Sequence, residues 1–111
     1  MTIFKKIIER ELPADIVYED EHVLAFRDIH PQAPVHVLFI PKMEVKDFLE
    51  AGRVPGLMDR MYQAIHTFCD QADLDRENIR LVTNCGARAG QSVFHFHLHL
   101  LSGRSFDWPP G

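Results

Sequence analysis

The sequence predicts an α+β domain: a five-stranded antiparallel meander sheet with one long and one short helix. Three observations predict it. Five short runs of apolar residues are separated by turn-forming segments. A single stretch, from Val54 to Ala72, carries apolar residues at helical spacing. Near the C-terminal end, His95, His97 and His99 alternate with Phe96, Leu98 and Leu100, a period of two that belongs to strands.

Thr2 can cap a first short helix, in which Ile3, Phe4, Ile7 and Ile8 share one side and Lys5, Lys6, Glu9 and Arg10 take the other. Leu12-Pro13 is expected to end it, because a residue before proline avoids helical backbone. Ile16 to Glu19 and His22 to Arg27 then read as two strands of a hairpin around Asp20-Glu21. Pro31 and Pro34 bracket an irregular loop. Val35 to Ile40 is a third strand, almost continuously apolar and so expected to be covered on both faces, with His36 at its start. Val45 to Ala51 is a brief helical stretch that Gly52 can close. In the long helix Val54, Leu57, Met58, Met61, Ile65, Phe68 and Ala72 form a core stripe, with Pro55 suited to its first turn. Ile79 to Thr83 is a fourth strand, Asn84 to Ala89 a tight turn, and the histidine-rich segment a fifth strand. On that strand Phe94, Phe96, Leu98 and Leu100 would face a core, leaving the three imidazoles in a row on the other side.

Composition narrows the function. The 111 residues suit one domain, spanning 1–111, with a Pro- and Gly-rich tail from about 103. With 46% hydrophobic residues a core is attainable, on a margin that a partner subunit would widen. A net charge of −4 excludes a basic footprint for a nucleic-acid polymer. Cys69 and Cys85 form no CxxC pair and read as reduced thiols, and there is no membrane-span-like run, so a cytoplasmic protein is expected.

Three imidazoles in one strand exceed what a solvated face needs. Two chemistries use them. One is metal binding, with His95 and His97 as a pair of zinc ligands. The other is nucleophilic and acid–base catalysis by imidazole. All three cannot bind one ion from an extended strand, since the outer two would lie about 13 Å apart.

His95 to Leu101 reads His-φ-His-φ-His-φ-φ, where φ is apolar, and resembles the signature of the histidine triad nucleotide-binding family. Flanking segments resemble its Hint branch: Ala25-Phe26-Arg27-Asp28-Ile29, Pro31 to His36, Ile40-Pro41-Lys42, Asn84, Gly90-Gln91-Ser92-Val93 and Trp108-Pro109-Pro110-Gly111. The resemblance implies a homodimer whose two sheets join, and a purine nucleoside 5′-phosphoramidase that needs no metal or other cofactor. It implies His97 as a nucleophile that becomes nucleotidylated, and His95 as its orienter, partly through the backbone. His99 and His36 would hold phosphate oxygens, one of them aiding the leaving group. Asp28 would accept both ribose hydroxyls, and Phe26, Ile29, Phe4, Ile3 and Ile7 would wall the purine pocket. Asn84, Gly90, Gln91, Ser92 and Val93 would line the nucleotide site, and Trp108 would shape leaving-group preference at the neighbouring subunit.

Two departures stand out. Ala89 sits where the family usually has glycine. The first helix lacks the cysteines, and Glu44 replaces the histidine, through which some members bind structural zinc. The rival readings are an Fhit-like dinucleoside polyphosphate hydrolase, a zinc hydrolase and a nucleotide-binding regulatory protein with little turnover. A neutral nucleophile predicts activity falling below about pH 6.5.

Overall fold

The computed structural model describes residues 1–111. Its elements are α1 (Ile3–Ile8), β1 (Ile16–Glu19), β2 (Val23–Arg27), β3 (Val35–Pro41), α2 (Phe48–Ala51), α3 (Leu57–Gln71), β4 (Ile79–Val82) and β5 (Leu98–Ser102). The five strands form one antiparallel sheet in the order β1-β2-β3-β5-β4. The expected class holds, but the order departs from a sequential meander. β3 and β4 run in the same direction, and strands in that relation need a long crossover, here supplied by α2 and α3. The crossover leaves a slot between them, and β5 fills it antiparallel to both.

Alternation along the central strands splits the core in two. Val23 and Ala25 of β2 and Val37 and Phe39 of β3 pack with Phe96 and Leu100 against α3. Leu24 and Phe26 of β2 and Leu38 and Ile40 of β3 pack against Phe4 and Ile7 of α1. This is the physical content of the nearly continuous apolar run in β3: both faces are covered. The functional side chains lie on the α1 face, where the covering helix is only six residues long.

Local signals explain most boundaries. The Thr2 hydroxyl accepts the Lys5 N–H at 3.1 Å and caps α1. That helix stops earlier than Leu12-Pro13, because Arg10 turns left-handed at φ 63°. Asp20 supplies the hairpin geometry without an Asn-Gly turn, its carboxylate accepting the N–H groups of His22 and Val23 at 2.7 and 2.8 Å. α2 begins at Phe48 rather than Val45, since Asp47 caps it through the Glu50 N–H at 2.9 Å. α3 begins at Leu57, after Gly56 turns left-handed at φ 77°, so Pro55 lies outside it. No helix is long and apolar enough to cross a membrane.

The histidine strand is the main correction. Only Leu98–Ser102 joins the ladder, so His99 is in β5 while His95 and His97 precede it. β5 pairs with β3 only as far as Phe39–Leu98, although β3 runs on to Pro41, and β4 ends at Val82, so residues 91–97 lie outside the ladder. Other bonds hold this segment. The Phe96 N–H donates to the Val45 carbonyl at 2.8 Å, and the Thr83 hydroxyl donates to the His97 carbonyl at 2.9 Å. The buried Gln91 side chain donates to the carbonyls of Lys46 and Val93 and accepts the Gly86 N–H. Phe94, expected in the core, is 46% exposed, because it lies in this unpaired segment where strict alternation ends.

Candidate active site

A cavity of about 610 Å³ opens between α1 and the sheet, within the range of small-molecule sites. Ile3, Phe4 and Ile7 of α1 form one wall, and Phe26 and Leu38 form its floor on the sheet. Asp28 and Ile29, which follow β2, also line it, as do Ser92, Val93, His97 and His99. Thus ten of the residues expected at a nucleotide site converge on one cavity.

His36 meets them from behind. Its register partner in β5 is Leu101, so it sits diagonally from His99 on the same face. The two rings are hydrogen-bonded, Nε2 of His36 to Nδ1 of His99, at 2.9 Å. Asp28 reaches the same nitrogen of His36 at 3.5 Å, while its other oxygen accepts the His30 N–H at 2.8 Å.

Hydrogen-bond partners decide the ring protonation, because a carbonyl only accepts and an amide N–H only donates. His97 points Nδ1 at the His95 carbonyl, 2.8 Å away, so Nδ1 carries the proton and Nε2 a free lone pair. His95 donates from Nε2 to the Pro41 carbonyl at 2.7 Å. His36 accepts the Gln32 N–H on Nδ1 at 3.0 Å, so its proton is on Nε2 and is donated to His99. His99 must then carry its own proton on Nε2. The arrangement pairs a bare imidazole nitrogen on His97 with an N–H donor on His99. Their ring centroids are 5.1 Å apart.

Burial pushes all four imidazoles below the ordinary histidine value, because the charged form is poorly solvated there. His99 falls furthest, to about 4, with burial first and then the neighbouring His97 and His36 opposing its charge. For His36 and His97 burial outweighs the pull of the Asp28 carboxylate. At neutral pH the cluster is uncharged. The Phe4 ring stands edge-on to His97, with centroids 4.9 Å apart, and helps to exclude water from it.

Other expected site residues lie elsewhere. His95 is 2% exposed beneath the cavity and lines none of it. Gln91 braces the loop. Asn84 and Gly90 neighbour each other at that loop's base, where Gly90 adopts φ 101°. Trp108 is 83% exposed and does not reach the cavity of its own chain. Sequence reasoning missed Gln32, Pro41 and Thr83, which act through backbone or hydroxyl groups. It also missed Leu12, Pro13, Ala14, Arg27 and His30 on the cavity rim, and Leu38, whose alternation with His36 along β3 was a usable signal.

His95 and His97, the zinc pair of the rival reading, each donate one ring N–H to a carbonyl and keep the other nitrogen as a lone pair, but only His97 lines the cavity, His95 being 2% exposed. The group whose ligand atoms do converge, within 4.8 Å, is Asp28, His36 and His99. A cation there would need the Nε2 lone pair of His36, and the Gln32 N–H assigns that nitrogen a proton. The donor set fits a metal poorly without a change in this loop.

The chain matches the HIT domain model over residues 9–106. It is 51% identical over 111 residues to an uncharacterised HIT-like protein of Synechococcus elongatus, covering 99% of this chain and 96% of that one. It is 45% identical to adenylylsulfatase HINT1 of Arabidopsis thaliana, covering 99% of this chain and 76% of the relative. Among solved structures it resembles a HIT family hydrolase from Legionella pneumophila, with a TM-score of 0.93, 40% identity and full coverage of both chains.

Proposed function

The chain belongs to the HIT domain family, and from that premise we propose that it hydrolyses the P–N bond of purine nucleoside 5′-phosphoramidates through a nucleotidyl–His97 intermediate. The observation that carries this reading is the His97 ring itself: neutral, held by the His95 carbonyl at 2.8 Å, with Nε2 as its free nitrogen, on a side chain that lines the cavity. In the first step Nε2 attacks phosphorus, the P–N bond breaks, and the amine leaves with a proton taken from solvent water, which the second step returns. In the second, water attacks phosphorus, the bond to Nε2 breaks, and the nucleoside monophosphate departs as water gives up the equivalent proton. Splitting one displacement into two is what a covalent intermediate achieves.

The rest of the cavity suits such a substrate. Ile3, Phe4, Ile7, Phe26 and Ile29 offer apolar contact to a purine, Asp28 an acceptor for ribose hydroxyls, and the N–H of His99 a donor to a phosphate oxygen. Ser92 and Val93 border the phosphate end, with Asn84, Gly90 and Gln91 supporting that loop. The chemistry needs no metal or cofactor. A homodimer fits the exposed edge strand β4, whose Leu81 is 49% exposed, and the exposed Trp108. Two unpaired cysteines are consistent with a cytoplasmic setting.

A second substrate follows from the name of the Arabidopsis relative. Adenylyl sulfate presents the same adenylyl phosphorus with sulfate as leaving group. The test is hydrolysis of adenosine 5′-phosphoramidate and of adenylyl sulfate by the wild type and His97→Ala, with and without chelator. Turnover that resists chelator and disappears in the variant is expected. Equal rates in the two proteins refute the role of His97, and loss on chelation refutes the metal-free route.

A further inference from the structure

We infer that Arg104 in the C-terminal tail is a positioning residue for the site: it acts through the Gln32 backbone to set which nitrogen of His36, and therefore of His99, carries a proton. The inference rests on the phosphoryl-transfer reading above, but its central element is visible without substrate.

After β5 the chain turns at Gly103 (φ 98°) and lies across the loop between Pro31 and Pro34. The contact is close: a Cβ at Gly103 would stand 2.9 Å from Cβ of Pro34, so only glycine lets the tail approach this far. The next residue makes the directed contact. Arg104 Nε donates to the Gln32 carbonyl at 2.9 Å. Its guanidinium is itself held, Nη1 donating to the Ser105 carbonyl at 2.8 Å and the group lying 4.3 Å from the centre of the Phe106 ring. The tail is thus a brace on the outer side of Gln32.

On its inner side Gln32 points its N–H at Nδ1 of His36, 3.0 Å away. Neutral imidazole has two tautomers, and this one donor selects between them. With Nδ1 accepting, His36 donates from Nε2 to Nδ1 of His99, and His99 presents an N–H to the cavity. Reverse the His36 tautomer and every member of the chain reverses. His36 would accept from His99, and His99 would turn a lone pair toward the phosphate oxygen, acceptor against acceptor. A brace two imidazoles away therefore decides whether the site meets developing negative charge with a donor. Both Gln32 and Arg104 are exposed, so neither is held there by burial.

The experiment combines nitrogen NMR of the histidine rings in the free protein with steady-state hydrolysis of adenosine 5′-phosphoramidate. The variants are Arg104→Ala, Arg104→Lys and, as a control, Arg80→Ala, which removes the other cation near the Phe106 ring. Wild type and Arg80→Ala are expected to show a single His36 tautomer with Nδ1 unprotonated. Arg104→Ala is expected to mix the tautomers and lower kcat roughly 10-fold, as for lost outer partners of functional imidazoles, with KM little changed. Arg104→Lys restores part of both, since one ammonium can still reach the carbonyl. A single wild-type tautomer in Arg104→Ala overturns the inference, whatever the rate does. Should that variant not fold, Arg104→Gln and Arg104→Lys carry the same two readouts. A wild type that does not hydrolyse the phosphoramidate refutes the functional reading alone, because the tautomer signal still decides the role of Arg104.

Discussion

Replacing Asp28 by asparagine tests the ribose contact proposed for it. The side chain is 19% exposed, so water screens it only in part. One oxygen already accepts the His30 N–H at 2.8 Å, a bond that the asparagine carbonyl can keep, so the loop should hold. What is lost is the charge and the second accepting oxygen. Hydrogen bonds to a charged group contribute about 1.5–3 kcal/mol, and about 1.4 kcal/mol corresponds to a factor of ten in affinity. Asp28→Asn is therefore expected to weaken kcat/KM for adenosine 5′-phosphoramidate roughly 10- to 150-fold. The assay compares this substrate with its 2′-deoxy analogue. Wild type should prefer the ribonucleotide clearly, and the variant should lose most of that preference, since the hydroxyl and the carboxylate are the proposed partners. The reasoning is refuted if Asp28→Asn discriminates the two sugars as strongly as wild type does.

Three further outcomes follow from the same geometry. Attack needs neutral His97, and burial lowers its pKa, so the plateau of kcat/KM should extend below the ordinary value of about 6.5 and fall only through the lowered value; a half-maximum at or above about 6.5 would contradict this. Stability carries the matching sign: between about pH 6.5 and about 4 the unfolded chain binds the proton that folded His99 refuses, so the melting temperature should drop as pH falls through that window, and a flat profile would argue against the buried neutral cluster. Phe4→Ala removes a ring that is 5% exposed and packs on Phe26 and His97; denaturant unfolding should register a loss of about 3–5 kcal/mol, and a loss below about 1 kcal/mol would show that α1 is not packed as described.

Much of the fold was legible because local rules and global packing agree in it. The doubled apolar pattern of Val35 to Ile40 announced a strand covered on both faces, and the spacing of Leu57, Met61, Ile65 and Phe68 announced the helix beneath it. The strand order was not legible. Nothing in Ile79 to Val82 says that it will sit at the edge and leave the slot beside β3 to a later segment; that is decided by the crossover. For the same reason period-two alternation was carried too far back, through Phe94. At the site, the histidines and Asp28 were visible as side chains of unusual type in a recognisable pattern. Their supports were not, since the carbonyls of His95 and Pro41 and the N–H of Gln32 are present in every residue and gain meaning only from position.

The neutrality of the imidazole cluster has a consequence for traffic through the site. In the proposed complex phosphate is met by an oriented imidazole N–H and not by fixed cations, since the arginine on the cavity rim, Arg27, is already paired with Asp15 at 3.2 Å. Dipoles act at short range and attract no ion atmosphere, so on this reading capture of a nucleotide is expected to owe little to ionic strength, unlike capture by a basic groove. The same economy favours turnover. On the proposed reading, hydrolysis adds negative charge to the phosphate in a cavity whose one formal charge outside an Arg–carboxylate pair is the Asp28 carboxylate, so the product is expected to be held less firmly than the substrate it came from.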